Sequence, residues 1–230
     1  MNVKVIPVHT GFPGRSHRGY LGLSGAYLVV GSRLLLYDTL GFGEREGLYA
    51  RLEALGVSPL DVTGVVLSHL HFDHAANADL FPWAEVYVHE AELRHAERVA
   101  KDPRLDPACL AHLPKALPRL TAVPEGPLEE GLSLLHLPGH TPGLLGLAVE
   151  GVGVLASDAV KSRFDLEGPP APPCLDPERA LKSRERLYRF PRLFPGHDVP
   201  LRREGDRFLP EGEACLEVAL PHGAKVTLKL

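Results

Sequence analysis

The chain has 230 residues (25.0 kDa), 44% of them hydrophobic and 23% charged, and this near-average balance excludes disordered, collagen-like and coiled-coil readings. A formal charge of −4 and a pI near 6.3 leave no global basic field to draw nucleic acid or an anionic membrane surface, so neither is expected as a partner. The length fits one domain, expected over 1–230, and three widely spaced cysteines (Cys109, Cys174, Cys215) support neither a disulfide framework nor a thiolate zinc knuckle.

The opening MNVKVIPVHTGFPG has no apolar core of signal-peptide length, which predicts a cytoplasmic protein. Val3–Val8, Ala26–Val30 and Arg33–Asp38 read as a meander of paired strands, broken by Gly-containing turns. Leu48, Leu52 and Leu55 at helical spacing predict a helix over Glu44–Leu55 that stops at Gly56. Val62–Leu67 reads as a buried strand running straight into Ser68-His69-Leu70-His71-Phe72-Asp73-His74. A strand over Ala84–Val88 and a helix over Glu90–Ala100 follow, the helix carrying Glu90/Arg94 and Glu97/Lys101 pairs on a wet face. The Pro-dense stretch 102–130 reads as broken helix and loop.

Ser133–Leu137, Leu144–Val149 and Val152–Ala156 read as strands, the first two separated by Pro138-Gly139-His140-Thr141-Pro142-Gly143. Asp176 as N-cap and Pro177 as first helical residue open a helix to about Arg189. Pro195-Gly196-His197-Asp198 follows, and Cys215–Leu220 and Lys225–Leu230 suggest two closing strands.

The chemistry concentrates in His69, His71, Asp73 and His74, four donors on one short loop after a strand. On an extended segment, residues 69, 71 and 73 would point the same way, and a turn at Asp73 would let His74 join from the other side. Imidazole and carboxylate without thiolate suit zinc, and also iron or manganese. The donors are too many and too oxygen-rich for a closed structural site, which typically uses four Cys or His ligands. Ser68 and Ser157 flank these motifs without a nucleophile elbow and read as loop-shaping hydroxyls, while the remaining histidines read as surface or hydrogen-bonded side chains.

The ordered motifs His69-Leu70-His71-Phe72-Asp73-His74, Pro138–Gly143, Ser157-Asp158 and Pro195–Asp198, with the strand end at Asp38, resemble the metallo-β-lactamase superfamily. The PGHTPG loop and GHD motif are similar to its acyl-homoserine lactonase and glyoxalase II-like branch. The resemblance implies an α/β fold, a four-layer αββα sandwich. It implies two metal ions, read as Zn2+ with Fe or Mn as alternatives: the first on His69, His71 and His140, the second on Asp73, His74 and His197, with Asp158 bridging and Asp38 orienting the ligand loop.

The implied activity is hydrolysis of an ester, lactone or thioester of a small-molecule substrate by a metal-bridging hydroxide, with Asp73 and Asp158 as catalytic residues. Lys161 stands where lactonases of this type often carry Tyr, and it joins Phe72 as a candidate substrate contact. Phe12, Tyr20, Phe42, Phe72 and Phe164 are expected near the roof of the site, with the Arg15–Gly19 loop and segment 167–173 as its walls. Two alternatives are a mononuclear-iron persulfide dioxygenase and a noncatalytic metal-binding module. The absence of Cys beside Asp158 argues against the common β-lactamases, and His at position 71 argues against the flavin-linked diiron branch.

Overall fold

A computed structural model describes residues 3–230. In chain order the elements are β1 (Lys4–His9), β2 (Arg15–Ser16), β3 (Gly19–Tyr20), β4 (Ala26–Val30), β5 (Leu34–Tyr37), α1 (Arg45–Ala54), β6 (Gly64–Val66), α2 (Phe72–Ala75), β7 (Glu85–His89), α3 (Glu90–Val99) and α4 (Leu113–Ala116). Then come β8 (Leu120–Val123), β9 (Gly126–Glu129), β10 (Leu132–His136), β11 (Leu145–Val149), β12 (Gly153–Ser157), α5 (Pro177–Glu185), β13 (Arg192–Pro195), β14 (Leu201–Glu204), β15 (Arg207–Pro210), β16 (Cys215–Ala219) and β17 (Lys225–Lys229).

Two mixed sheets face each other, one ordered β1-β4-β5-β6-β7-β8 and the other β15-β14-β13-β12-β11-β10-β9. The layer between them is apolar from both sides: Tyr27, Val29, Leu35 and Val66 of the first sheet pack with Leu134, Leu147, Leu155 and Phe194 of the second. Tyr27 meets Phe194 edge-on at 5.3 Å between ring centroids. The first sheet's outer face is covered by α1 and α3 through Leu48, Leu52 and Ala96, and the second's by the α5 region through Leu187. The result is the α/β, four-layer αββα arrangement.

Strands β5 to β8 run parallel to one another, as do β12 and β13, so their C-terminal ends collect at one rim. Open α/β sheets place ligand sites at such a rim. The two sheets are tied there by the Leu145 amide donating to the Ser68 carbonyl at 2.7 Å. Asp38 and Ser157, each just at or past a strand end, adopt φ of 60° and 45°, backbone strain of the kind found at functional sites.

Four expectations change. The stretch 102–130 holds two edge strands, β8 and β9, hidden by prolines that flank the first and, as Pro127, sit within the second, where the sheet edge tolerates a missing N–H. The helix predicted to reach Arg189 is α-helical only to Glu185 and tightens into a 3-10 turn over Arg186–Arg189. The segment at Asp73 is not extended; α2 begins at Phe72, so Asp73 turns with His74 and away from the 69/71 face. Strands β16 and β17 pair only with each other and close neither large sheet. Among the described residues no helix is long and apolar enough to cross a membrane.

Candidate metal centre

Four loops at the rim bring His69, His71, Asp73, His74, His140, Asp158 and His197 together. The donor atoms of His69, His71 and His140 lie within 4.8 Å of one another, as do those of Asp73, His74 and His197, and those of His69, His74 and Asp158. The short helix α2 explains the split within the motif: His69 and His71 precede it, while Asp73 and His74 ride on its first turn.

Each imidazole is held from outside. Asp38 accepts from the Ser68 amide at 2.7 Å and the Ser68 hydroxyl at 2.8 Å, and its Oδ2 stands 2.9 Å from His74 Nδ1. With its proton committed to Asp38, the Ser68 hydroxyl accepts from His69 Nδ1 at 2.8 Å. His140 Nδ1 donates to the Pro173 carbonyl at 2.8 Å and His197 Nδ1 to the Leu23 carbonyl at 3.0 Å. His71 is turned the other way: its Nε2 donates to Asp106 at 3.0 Å, leaving Nδ1 inward. These outer bonds select the tautomers in which every inner nitrogen presents a lone pair, the arrangement that metal-binding histidines need.

Asp158 lies between the donor groups. Its Oδ2 is 3.2 Å from His140 Nε2, and its Oδ1 is 3.3 Å from the Nε2 of both His74 and His197. Oδ1 is nevertheless buried without an aligned hydrogen-bond donor. A buried carboxylate oxygen so placed, among inward lone pairs, fits bound cations. Gly196 makes room for it, because a Cβ at that position would fall on the Asp158 carboxylate.

The electrostatics divide the centre. Burial pushes His69 and His140 well below the usual histidine range, toward the neutral form that ligates. Burial also opposes charge on His74 and His197, but the neighbouring Asp158 and Asp73 carboxylates outweigh it and raise both. Burial works against the Asp158 charge as well, yet His197, His140 and His74 together hold its carboxyl well below the ordinary range.

Reasoning from sequence missed Asp106, Glu92 and His95. Asp106 Oδ2 accepts from His71 Nε2 and from His95 Nε2, each at 3.0 Å. Burial alone would raise its carboxyl, but those two bonds outweigh the burial and hold it far down. Glu92 accepts from the amides of Leu70 and Gly143, both in ligand-bearing loops. No spacing rule marks either acid; the buried i, i+3 positions of Glu92 and His95 on α3 were the only signal.

The centre opens into a cavity of about 410 Å3 lined by Phe12, Tyr20, Phe72, Phe164, Arg15 and Lys161, among others. Ala171 and Pro173 line it too, whereas Phe42 does not and is 59% exposed. The Lys161 ammonium donates to the Pro173 carbonyl at 3.0 Å, lies 3.9 Å from Asp158 Oδ2, and stands 5.8 Å from the centre of the Tyr20 ring. Of the cysteines, Cys109 and Cys174 are partly buried and Cys215 is exposed.

Residues 19–197 match the family model of the metallo-beta-lactamase superfamily. Metallo-beta-lactamase domain-containing protein 1 of Xenopus laevis is 34% identical over 179 residues, spanning 76% of this chain and 70% of that protein. An N-acyl homoserine lactonase of a Bacillus species is 35% identical over 185 residues, 73% of this chain and 68% of that enzyme. A metallo-beta-lactamase from Thermotoga maritima shares the fold at a TM-score of 0.70 and 21% identity, covering 88% of this chain and 100% of that one. A dizinc quorum-quenching lactonase in complex with a product gives a TM-score of 0.66 at 24% identity, covering 83% and 80%. The sandwich, the rim on which four donor loops converge and the matched span of sequence agree, and the chain belongs to the metallo-beta-lactamase superfamily.

Proposed function

We propose that the chain is one metallo-β-lactamase-fold domain that acts as a dinuclear metal-dependent hydrolase of a small-molecule ester, lactone or thioester. In this reading His69, His71 and His140 would hold one Zn2+, Asp73, His74 and His197 would hold the second, and Asp158 would serve both. The observation that carries it is the set of five imidazoles, each hydrogen-bonded outward and presenting its inner nitrogen, around a buried Asp158 oxygen without a donor. The intact second donor group favours two ions over the single iron of a dioxygenase. The lactonase relatives support an ester or lactone bond as the target. Free cysteines fit a reducing, cytoplasmic setting.

When bound, two divalent ions supply a Lewis acid for a carbonyl oxygen and lower the pKa of water from about 15.7 to roughly 7. The protein's own part is positional and protolytic. Asp38 fixes the ring plane of His74, and the Asp73 carboxylate, facing the cavity, takes the nucleophile's proton and returns it to the leaving alkoxide or thiolate. Phe72 and the neighbouring aromatic rings pack the acyl part and exclude water. Lys161, with one donor committed to Pro173, offers its remaining N–H groups to a substrate oxygen.

The test is zinc reconstitution followed by a substrate panel of lactones, acyl thioesters, phosphodiesters and persulfides. Two equivalents of metal and chelator-sensitive cleavage of lactones or thioesters are expected. One equivalent of iron with oxygen consumption on persulfides, or full loading without turnover of any substrate, would overturn the reading.

A further inference from the structure

The buried stripe of α3 is formed by Glu92, His95, Ala96 and Val99, a core-facing helical row in which two of the four side chains are polar. Glu92 is fully buried, and among the described residues it forms no ion pair, so no cation offsets the desolvation of its carboxyl group. Its partners are two backbone amides outside regular structure: Leu70 N–H donates to Oε1 and Gly143 N–H to Oε2, each at 3.0 Å.

Those amides are placed with purpose. Leu70 lies between His69 and His71, and Gly143 closes the loop that carries His140. The two oxygens of one carboxyl therefore join the two loops supplying the three donors of the first metal group. The joined loops bring His140 Nε2 to 3.2 Å from His69 Nε2 and 3.0 Å from His71 Nδ1. The approach is tight: a Cβ on Gly143 would run into the Glu92 backbone, so this loop sits against the first turn of α3 only with glycine there. A leucine or methionine at position 92 would fill the core without the desolvation cost, but it would leave both amides buried and unpaired.

We propose that Glu92 is a positioning residue that sets the spacing between the His69/His71 loop and the His140 loop, and through it the affinity of the first metal position, without touching metal or substrate. The clamp holds none of Asp73, His74 and His197 directly, so the effect is expected to be larger at the first position than at the second. The inference rests on the metal-centre reading above.

The decisive variant is Glu92→Gln, which keeps the shape and one acceptor but turns an NH2 donor toward the second amide. Co2+ is titrated into wild type and variant, visible absorption reports coordination, and competition with a chelator gives the two affinities separately. Loss of outer hydrogen-bond support typically weakens metal binding by about 10–100-fold. That loss is expected at one position, with an altered absorption band, while the other position changes by less than about threefold and kcat falls with KM nearly constant. Leu147→Ala, a cavity variant in the inter-sheet core, provides the control for general destabilisation; it should lower the melting midpoint without separating the two affinities.

Wild-type affinities in a folded Glu92→Gln protein would overturn the clamp and leave the hydrolase reading intact, as would equal losses at both positions matching those of Leu147→Ala. Wild-type protein that binds no Co2+ would overturn both. Should Glu92→Gln fail to fold, Glu92→Asp, one methylene too short to span both amides, replaces it under the same criteria.

Discussion

At the floor of the cavity the five inward-facing imidazoles are each fixed by an outer hydrogen bond, whereas three of the wall's aromatic rings are exposed, with only Phe12 buried among them. Phe164 is 61% exposed, Tyr20 51% and Phe72 41%. Of the wall cations, Arg15 stacks on Tyr20 at 5.2 Å, while Lys161 reaches toward the floor, holding the Pro173 carbonyl and lying 3.9 Å from Asp158 Oδ2. Rigid floor and adaptable wall divide the work. Chemistry needs donor atoms placed to a fraction of an ångström, and recognition tolerates side chains that settle around whatever acyl group arrives.

If the floor is the rigid partner, changes there should cost most. Asp158→Ala removes the one carboxylate that reaches both donor groups; we expect loss of at least one metal equivalent and on the order of a 10³-fold fall in kcat/KM, about 4 kcal/mol. Elemental analysis with steady-state kinetics checks this, and full turnover at full loading would break the comparison. Asp106→Ala acts one bond further out, by freeing His71 Nε2 and His95, and should weaken metal binding by about 10–100-fold while leaving the wall untouched.

The floor can be sharpened further by pH. In the metal-free protein, carboxylate neighbours hold His74 and His197 above the usual histidine value, and burial holds His69 and His140 below it. Metal must displace protons from the first pair and not from the second. Zinc titration in weak buffer should therefore release protons at the second position, and lowering pH should empty that position first. Simultaneous loss of both ions across the acid range would contradict this asymmetry.

Wall changes should be milder and substrate-dependent. Lys161→Met, which keeps the stem and removes the charge, should reduce kcat/KM by about tenfold for substrates whose oxygen it meets, equivalent to about 1.4 kcal/mol, with metal content unchanged. Phe164→Ala trims a ring already mostly in water; a change of about fivefold or less, chiefly in KM for longer acyl chains, is expected. A Phe164→Ala effect as large as that of Asp106→Ala would show that the wall is as structured as the floor.

The parts of this design that could be read from the chain are those written in local patterns. The strand over Ala26–Val30 and the Asp176-Pro177 helix start depend on neighbours a few residues away, and they fall where the apolar run and the cap put them. The ligand motif was legible because four donors in six residues are improbable otherwise. Its internal geometry was not: the turn of α2 sends Asp73 to the side of His74, where an extended strand would have kept it with His71. Edge strands β8 and β9 escaped because Pro118 and Pro124 flank the first and Pro127 lies within the second, and prolines signal loop; a place at a sheet edge makes Pro127 acceptable.

Sequence alone therefore determined the donor cluster His69–His74 and the kind of metal chemistry it suits, since both follow from residue type and close spacing, while the distant donors and the sandwich class were implied by resemblance to the superfamily's motifs. Tertiary structure decided which donors stand together, which ring nitrogen each histidine turns inward, and that Asp106 and Glu92 hydrogen-bond to His71 and to the amides of Leu70 and Gly143. Those outcomes depend on contacts between residues as far apart as Leu23 and His197, and hydrogen bonds across such separations leave no period in the chain to read.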